Sequence, residues 1–110
     1  MIIGVFRKAG DGFAGRLQTL HLGAELRLVP AEPSGHENAP QWRLLCGAGD
    51  DGGEIGAGWN RTGERAGAFI AVQIDDPALV APLRANLVRA APDGDDYHLL
   101  WTRAAPRART

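Results

Sequence analysis

Cysteine and serine are almost missing from this chain: Cys46 is the single cysteine and Ser34 the single serine in 110 residues. One thiol cannot close an intramolecular disulfide, so the fold must be held by a packed core. At 11.7 kDa the chain suits one domain and is long enough to bury such a core unaided. A long apolar run is also lacking. Met1 to Lys8 has neither a basic leader region nor the length of a membrane span, so a cytoplasmic protein with no membrane partner is expected. The match of Asn60, Arg61 and Thr62 to a glycosylation sequon then has no consequence. Neither charge sign is in excess: formal net charge is -1. Proteins that neutralise phosphates usually show a basic surplus, so this balance argues against nucleic acid, although a patch can hide within a neutral total. Finally, no ten-residue stretch repeats its apolar residues with the 3.6 period of a helix.

What is present is a period of two. In 54–60, Ile55, Ala57 and Trp59 alternate with Glu54, Gly56, Gly58 and Asn60. In 68–75, Ala68, Ile70, Val72 and Ile74 oppose Phe69, Ala71, Gln73 and Asp75. Successive side chains of a strand point to opposite faces, so both segments read as strands, joined by a glycine-containing turn. Further strands are expected over 2–8, 13–19, 24–29, 41–46, 83–90 and 97–102, with Leu26 and Leu28, Trp42 and Leu44, and Tyr97, Leu99 and Trp101 each sharing a face. An Asp-Gly pair marks the first turn, and three prolines break the loop over 30–40. The expected fold is all-β: a small single-domain antiparallel barrel or sandwich of about seven to eight short strands over 1–103, with at most a short helical turn near 77–81. Residues 104–110 read as a flexible Arg-containing tail.

Few residues suggest chemistry. Gly47 to Gly52 fits G-x-G-x-x-G, but a strand follows where a dinucleotide loop needs a helix N-terminus, and Asp50 and Asp51 would repel phosphate. Asp75 and Asp76 are neighbours on a strand, which aims them apart; Asp76 before Pro77 suits turn initiation. Asp93, Asp95 and Asp96 lack the terminal Glu of a calcium loop. His21, His36 and His98 have no ligand spacing, and neither Cys46 nor Ser34 sits in a nucleophile's setting. No catalytic residue, metal ligand or cofactor is expected, and a small hydrolase or metal enzyme is a minor alternative. The candidate binding surface is Trp59, Arg61, Arg65, Phe69, Arg84, Arg89 and Tyr97, which could set cations beside aromatic rings. The plainer reading makes Trp59 and Phe69 core or cross-strand packing and the arginines ordinary solvated positions.

These segments together resemble a known family. "IGVF" at 3–6, "LRLVP" at 26–30, "APQWR" at 39–43, "EIGAGW" at 54–59, "IDDP" at 74–77 with "APLRANLV" at 81–88, and "YHLLWTR" at 97–103 follow the order of domain-of-unknown-function family 736. The resemblance covers about residues 2–103. It implies a small bacterial protein of a kind often found near conjugative or integrated mobile elements, and it supplies no activity and no catalytic residue. Members carry a Lys-rich turn after the tryptophan; between Arg61 and Phe69 this chain has lost one basic position and gained Glu64. The expected function is therefore a non-enzymatic binding protein that acts on a host or plasmid protein, inhibition of a host defence being one form. The alternative is an OB-like barrel binding single-stranded nucleic acid. Homodimerisation is also expected, because an open sheet must protect its edges.

Overall fold

The computed structural model describes residues 1–20, 22–47, 53–63, 67–77, 79–92 and 94–102. Eight strands appear where the alternation puts them: β1 (Ile2–Ala9), β2 (Gly12–Gln18), β3 (Gly23–Pro30), β4 (Trp42–Cys46), β5 (Gly53–Gly63), β6 (Gly67–Ile74), β7 (Leu83–Arg89) and β8 (Asp96–Leu100). Each pairs antiparallel with the next, and β8 pairs with β1, so the sheet closes into an up-and-down barrel. This is not the five-stranded Greek key of an OB fold, since every neighbour in the barrel is also a neighbour in sequence. Closure also removes the free edges that motivated a two-fold dimer. Among the described residues there is no helix. Near 77–81 the chain makes a turn in which the Leu79 N–H donates to the Asp76 carbonyl at 2.8 Å.

The first hairpin shows how local chemistry sets the register. Ala9 pairs with Gly12, leaving Gly10 and Asp11 as a two-residue connection. Gly10 has φ +61 and Asp11 has no positive φ, which is the pattern of a turn with glycine at its first central position. The turn glycine is thus Gly10, not the Gly12 of the Asp-Gly pair.

The interior is solid. Phe6, Leu26, Leu28, Leu44, Leu87 and Leu99 are each under 2 % exposed or at that level and come from five different strands. Ile3, Phe13, Leu17, Ile70, Val72, Ile74 and Ala85 complete the core. Burying each large side chain contributes about 1.5–3 kcal/mol. Eight strands leave room inside for little more than side chains, and Gly15, registered between Phe6 and Leu26, yields part of that room to the Phe6 ring.

One element departs from simple alternation. The β4–β5 register shifts between Leu44 and Leu45: Leu44 faces Gly56 while Leu45 faces Glu54. The extra residue, Ile55, packs on the core, whereas Ala57 and Trp59 lie opposite Gln73 and Ala71 on the outer face. Ile55, Ala57 and Trp59 therefore do not share a face as the period of two implied. A bulge of this kind re-aims side chains within one strand.

Candidate functional site

Trp59 and Phe69 lie outside the core. Trp59 projects from the outer face of β5 in a row with Ala71 of β6 and Asn86 of β7. Beside this row runs a shallow groove of about 340 Å³, bounded by Trp59, Arg61, Gln73, Arg84 and Asn86. The small Ala71 side chain leaves the flank of the indole as a wall of the groove. The indole is fixed by its Nε1–H, which donates to the Asn38 carbonyl of the β3–β4 loop at 2.9 Å. Arg61, two residues further on the same face, donates from Nη1 to the Asn60 carbonyl at 3.2 Å. Arg84 is exposed, and among the described residues its guanidinium makes no hydrogen bond or ion pair.

The other candidates gather at one end of the barrel. Tyr97 faces inward on β8, opposite Phe6 of β1 and Arg89 of β7. Arg89 holds the Tyr97 hydroxyl, donating from Nε at 3.3 Å and Nη2 at 3.2 Å. Phe69, opposite Arg61, is half-buried and lines the same mouth. The six described candidates thus divide into an outer groove (Trp59, Arg61, Arg84) and a mouth (Arg61, Phe69, Tyr97), with Arg61 on the boundary of both and Arg89 behind the mouth, holding the Tyr97 hydroxyl. Arg65 lies outside the described residues.

Sequence reasoning missed Lys8, Phe13, Trp42 and Asn60 at the mouth. Trp42 and Asn60 are eighteen residues apart, yet the Trp42 Nε1–H donates to Asn60 Oδ1 at 2.8 Å. Only the β4–β5 register brings them together. Asn60→Ala is expected to lower stability by about 1 kcal/mol, because it leaves a half-buried indole N–H without an acceptor. Thermal unfolding checks this: the midpoint should fall by about 5 °C in a domain of this size, and an unchanged midpoint would show that water replaces the amide freely.

Charge is distributed in a way that the net value hides. Every described cationic side chain, Arg7, Lys8, Arg16, Arg27, Arg43, Arg61, Arg84 and Arg89, lies on a strand. Of the described acids, only Glu25, Glu54 and Asp96 do; Asp11, Glu32, Glu37, Asp75, Asp76 and Asp95 sit in turns and loops. Two wall arginines are already paired: Arg7 Nε is 3.0 Å from Asp96 Oδ1, and Arg43 Nε is 2.7 Å from Glu54 Oε1. Both pairs are largely exposed and stabilise the fold by less than about 1 kcal/mol each.

Possible chemical centres are dispersed. Among the described residues no group of three or more His, Cys, Asp or Glu side chains could hold a metal ion. Cys46 is half-buried at the end of β4 away from the mouth, His36 is exposed in the β3–β4 loop, and His98 lies on β8. His21, Asp93 and residues 48–52 lie outside the described residues.

No curated protein and no solved structure matches the chain. A family model does: that of the protein of unknown function DUF736, over residues 2–104. The match spans all eight strands of the barrel, and the chain belongs to the DUF736 family.

Proposed function

We propose that the protein is a non-enzymatic binding module whose partner is single-stranded nucleic acid, laid across the outer face of β5, β6 and β7. The observation that carries this reading is the separation of charge among the described residues: cations on the barrel wall, most carboxylates in turns and loops. Phosphate binding depends on where the cations are, so a net charge of -1 does not oppose it. Arg61 and Arg84 flank Trp59 on the same face. They stand four residues and two strands apart, roughly 16 Å on the diagonal at strand spacing. A flexible single strand can place phosphates at both ends of that diagonal and a base against the indole between them. Gln73 and Asn86 add amides that pair with any base edge. A cytoplasmic role in handling the strands of bacterial mobile elements, the setting the family resemblance suggests, belongs to the same proposal.

Fluorescence anisotropy with a labelled thymidine oligonucleotide tests it. The chain should bind at low salt, and Trp59→Ala should weaken binding about tenfold or more, since one stacked base is worth about 1–3 kcal/mol. Circular dichroism should show the barrel retained. No binding at low salt, or equal affinity without the indole, removes the proposal.

One observation favours a protein partner instead. Ile2 and Val5 are each 51 % exposed. Their register rows continue through Leu100 to Asn86 and through His98 to Val88, so Ile2, Val5, Val88 and Leu100 form a mainly apolar band across β7, β8 and β1 that Asn86 and His98 interrupt. This is the surface on which the protein would engage a host or plasmid protein. If the oligonucleotide fails to bind, while the immobilised chain retains a protein that Val5→Asp releases, this second reading replaces the first.

A further inference from the structure

We propose that the barrel mouth is a separate site for a small ligand: a planar aromatic ring bearing one anionic group. It does not depend on nucleic-acid binding at the outer groove.

The mouth opens between the β1–β2 turn and the adjoining ends of β5 and β6 and encloses about 340 Å³. That is near the lower limit for ligand pockets, which fits one or two fused rings with a short charged arm. It ends blindly, because Phe6, Leu28 and Leu44 fill the barrel beneath it. A chain cannot thread through, so the occupant is small.

Three rings in mutual contact form the deeper part of its apolar surface, and Phe69 and Ile70 complete it. The Phe13 centroid lies 5.5 Å from that of Trp42 at an interplanar angle of 58°, and 4.8 Å from that of Tyr97 at 70°. Phe13 is 6 % exposed and forms the base. The polar atoms of the other two are already engaged by the protein. Trp42 Nε1 is committed to Asn60 Oδ1, and the Asn60 backbone N–H donates to Gln41 Oε1 at 2.9 Å. The Tyr97 hydroxyl is held by Arg89, whose Nη1 also donates to the Pro92 carbonyl at 2.9 Å and whose guanidinium carbon is 5.7 Å from the Tyr97 ring centroid. The rings are thus oriented before any ligand arrives, which reduces the ordering penalty of binding.

The lining also selects charge and polarity. Lys8 and Arg61 face one carboxylate, Asp11. Among the described residues the Lys8 ammonium makes no ion pair or hydrogen bond. An anionic arm would supply that partner. The Trp42 bond fixes the Asn60 amide with its oxygen toward the indole, so Nδ2 is left as a donor for a ring heteroatom.

Ring-plus-anion chemistry occurs in nucleoside monophosphates and in aromatic carboxylates, and one experiment separates them. The ¹⁵N-labelled full chain is titrated in parallel with adenosine monophosphate, indole-3-acetate and uncharged adenosine, following backbone amides by NMR. At least one anion should shift the amides of Lys8, Phe13, Trp42 and Asn60. A response to the nucleotide alone assigns the phosphate source, and one to indole-3-acetate alone assigns the carboxylate. Adenosine should bind about tenfold more weakly than its monophosphate, and Lys8→Ala should weaken the anion by about tenfold, as loss of one charge-assisted contact does. Trp59→Ala, on the outer groove, should leave this affinity unchanged. The proposal is overturned if neither anion shifts the mouth amides, if Lys8→Ala has no effect, or if the shifts fall on the outer face and vanish with Trp59→Ala. Loss of oligonucleotide binding with these shifts intact would refute only the outer-groove function.

Discussion

Phe6→Ala lowers the unfolding free energy by about 4 kcal/mol, because it empties a ring-sized volume at the centre of the barrel. Phe6 is 2 % exposed and is registered between Gly15 of β2 and Tyr97 of β8. The loss is a large share of the 5–15 kcal/mol typical of a domain. The opposite change is also harmful. A Cβ added at Gly15 would lie 2.5 Å from Phe6 Cγ, 2.7 Å from Phe6 Cα and 2.3 Å from the Val5 carbonyl oxygen. Gly15→Ala should therefore be destabilising by about 3 kcal/mol through overpacking. The two are coupled, since removing the ring takes away one of the three clashes and leaves those with the backbone. The double variant should be more stable than the sum of the single losses implies, by about 1 kcal/mol or more. Urea unfolding of all four chains measures this at constant m-value. Strict additivity would mean that Gly15 and Phe6 do not share space, and the account of the barrel interior would have to be redrawn.

The elements were legible because each strand states its period in few residues. Ile70, Val72 and Ile74 read as one face and are one buried face. The family was legible too, from the order of its segments. Barrel and sandwich were not separable, because closure depends on β1 meeting β8 across almost the full length of the chain, and alternation is the same in either architecture. The face of Trp59 was lost for a local reason. A single unpaired residue, Ile55, reverses the phase of β5, and nothing in Glu54-Ile-Gly-Ala-Gly-Trp59 marks a bulge there. The mouth was invisible because its members, Lys8, Phe13, Trp42, Asn60 and Tyr97, come from five strands and meet only through register. The charge pattern is different. Arg7, Arg16, Arg27 and Arg43 all fall inside segments that alternation already assigns to strands, while Asp11 and Asp95 fall between them. Summing charge over the whole chain concealed a separation that summing by element exposes.

That separation gives the binding prediction with the largest effect. Arg61 and Arg84 have no carboxylate partner among the described residues, whereas Arg7 and Arg43 are ion-paired with Asp96 and Glu54. Only unpaired cations are free to displace counterions from phosphate. For single strands the slope of log K against log salt is about -0.7 for each phosphate neutralised, so Arg61→Ala with Arg84→Ala should make the slope shallower by about 1.4. Over a fourfold rise in salt, that removes about a sevenfold share of the wild-type salt sensitivity. Reversing both charges to Glu places repulsion where attraction was, and the loss at low salt should reach about 100-fold. Arg7→Ala and Arg43→Ala should each change affinity by less than about twofold, because screened, already paired groups contribute little. Anisotropy titrations at several salt concentrations separate these cases. If all four arginines prove equivalent, binding is a diffuse attraction to the wall and Trp59 marks no path. If the Arg61 and Arg84 variants keep the wild-type slope, the strand does not cross β5–β7, and the apolar band through Val5 and His98 becomes the surface that explains the fold's outward side chains.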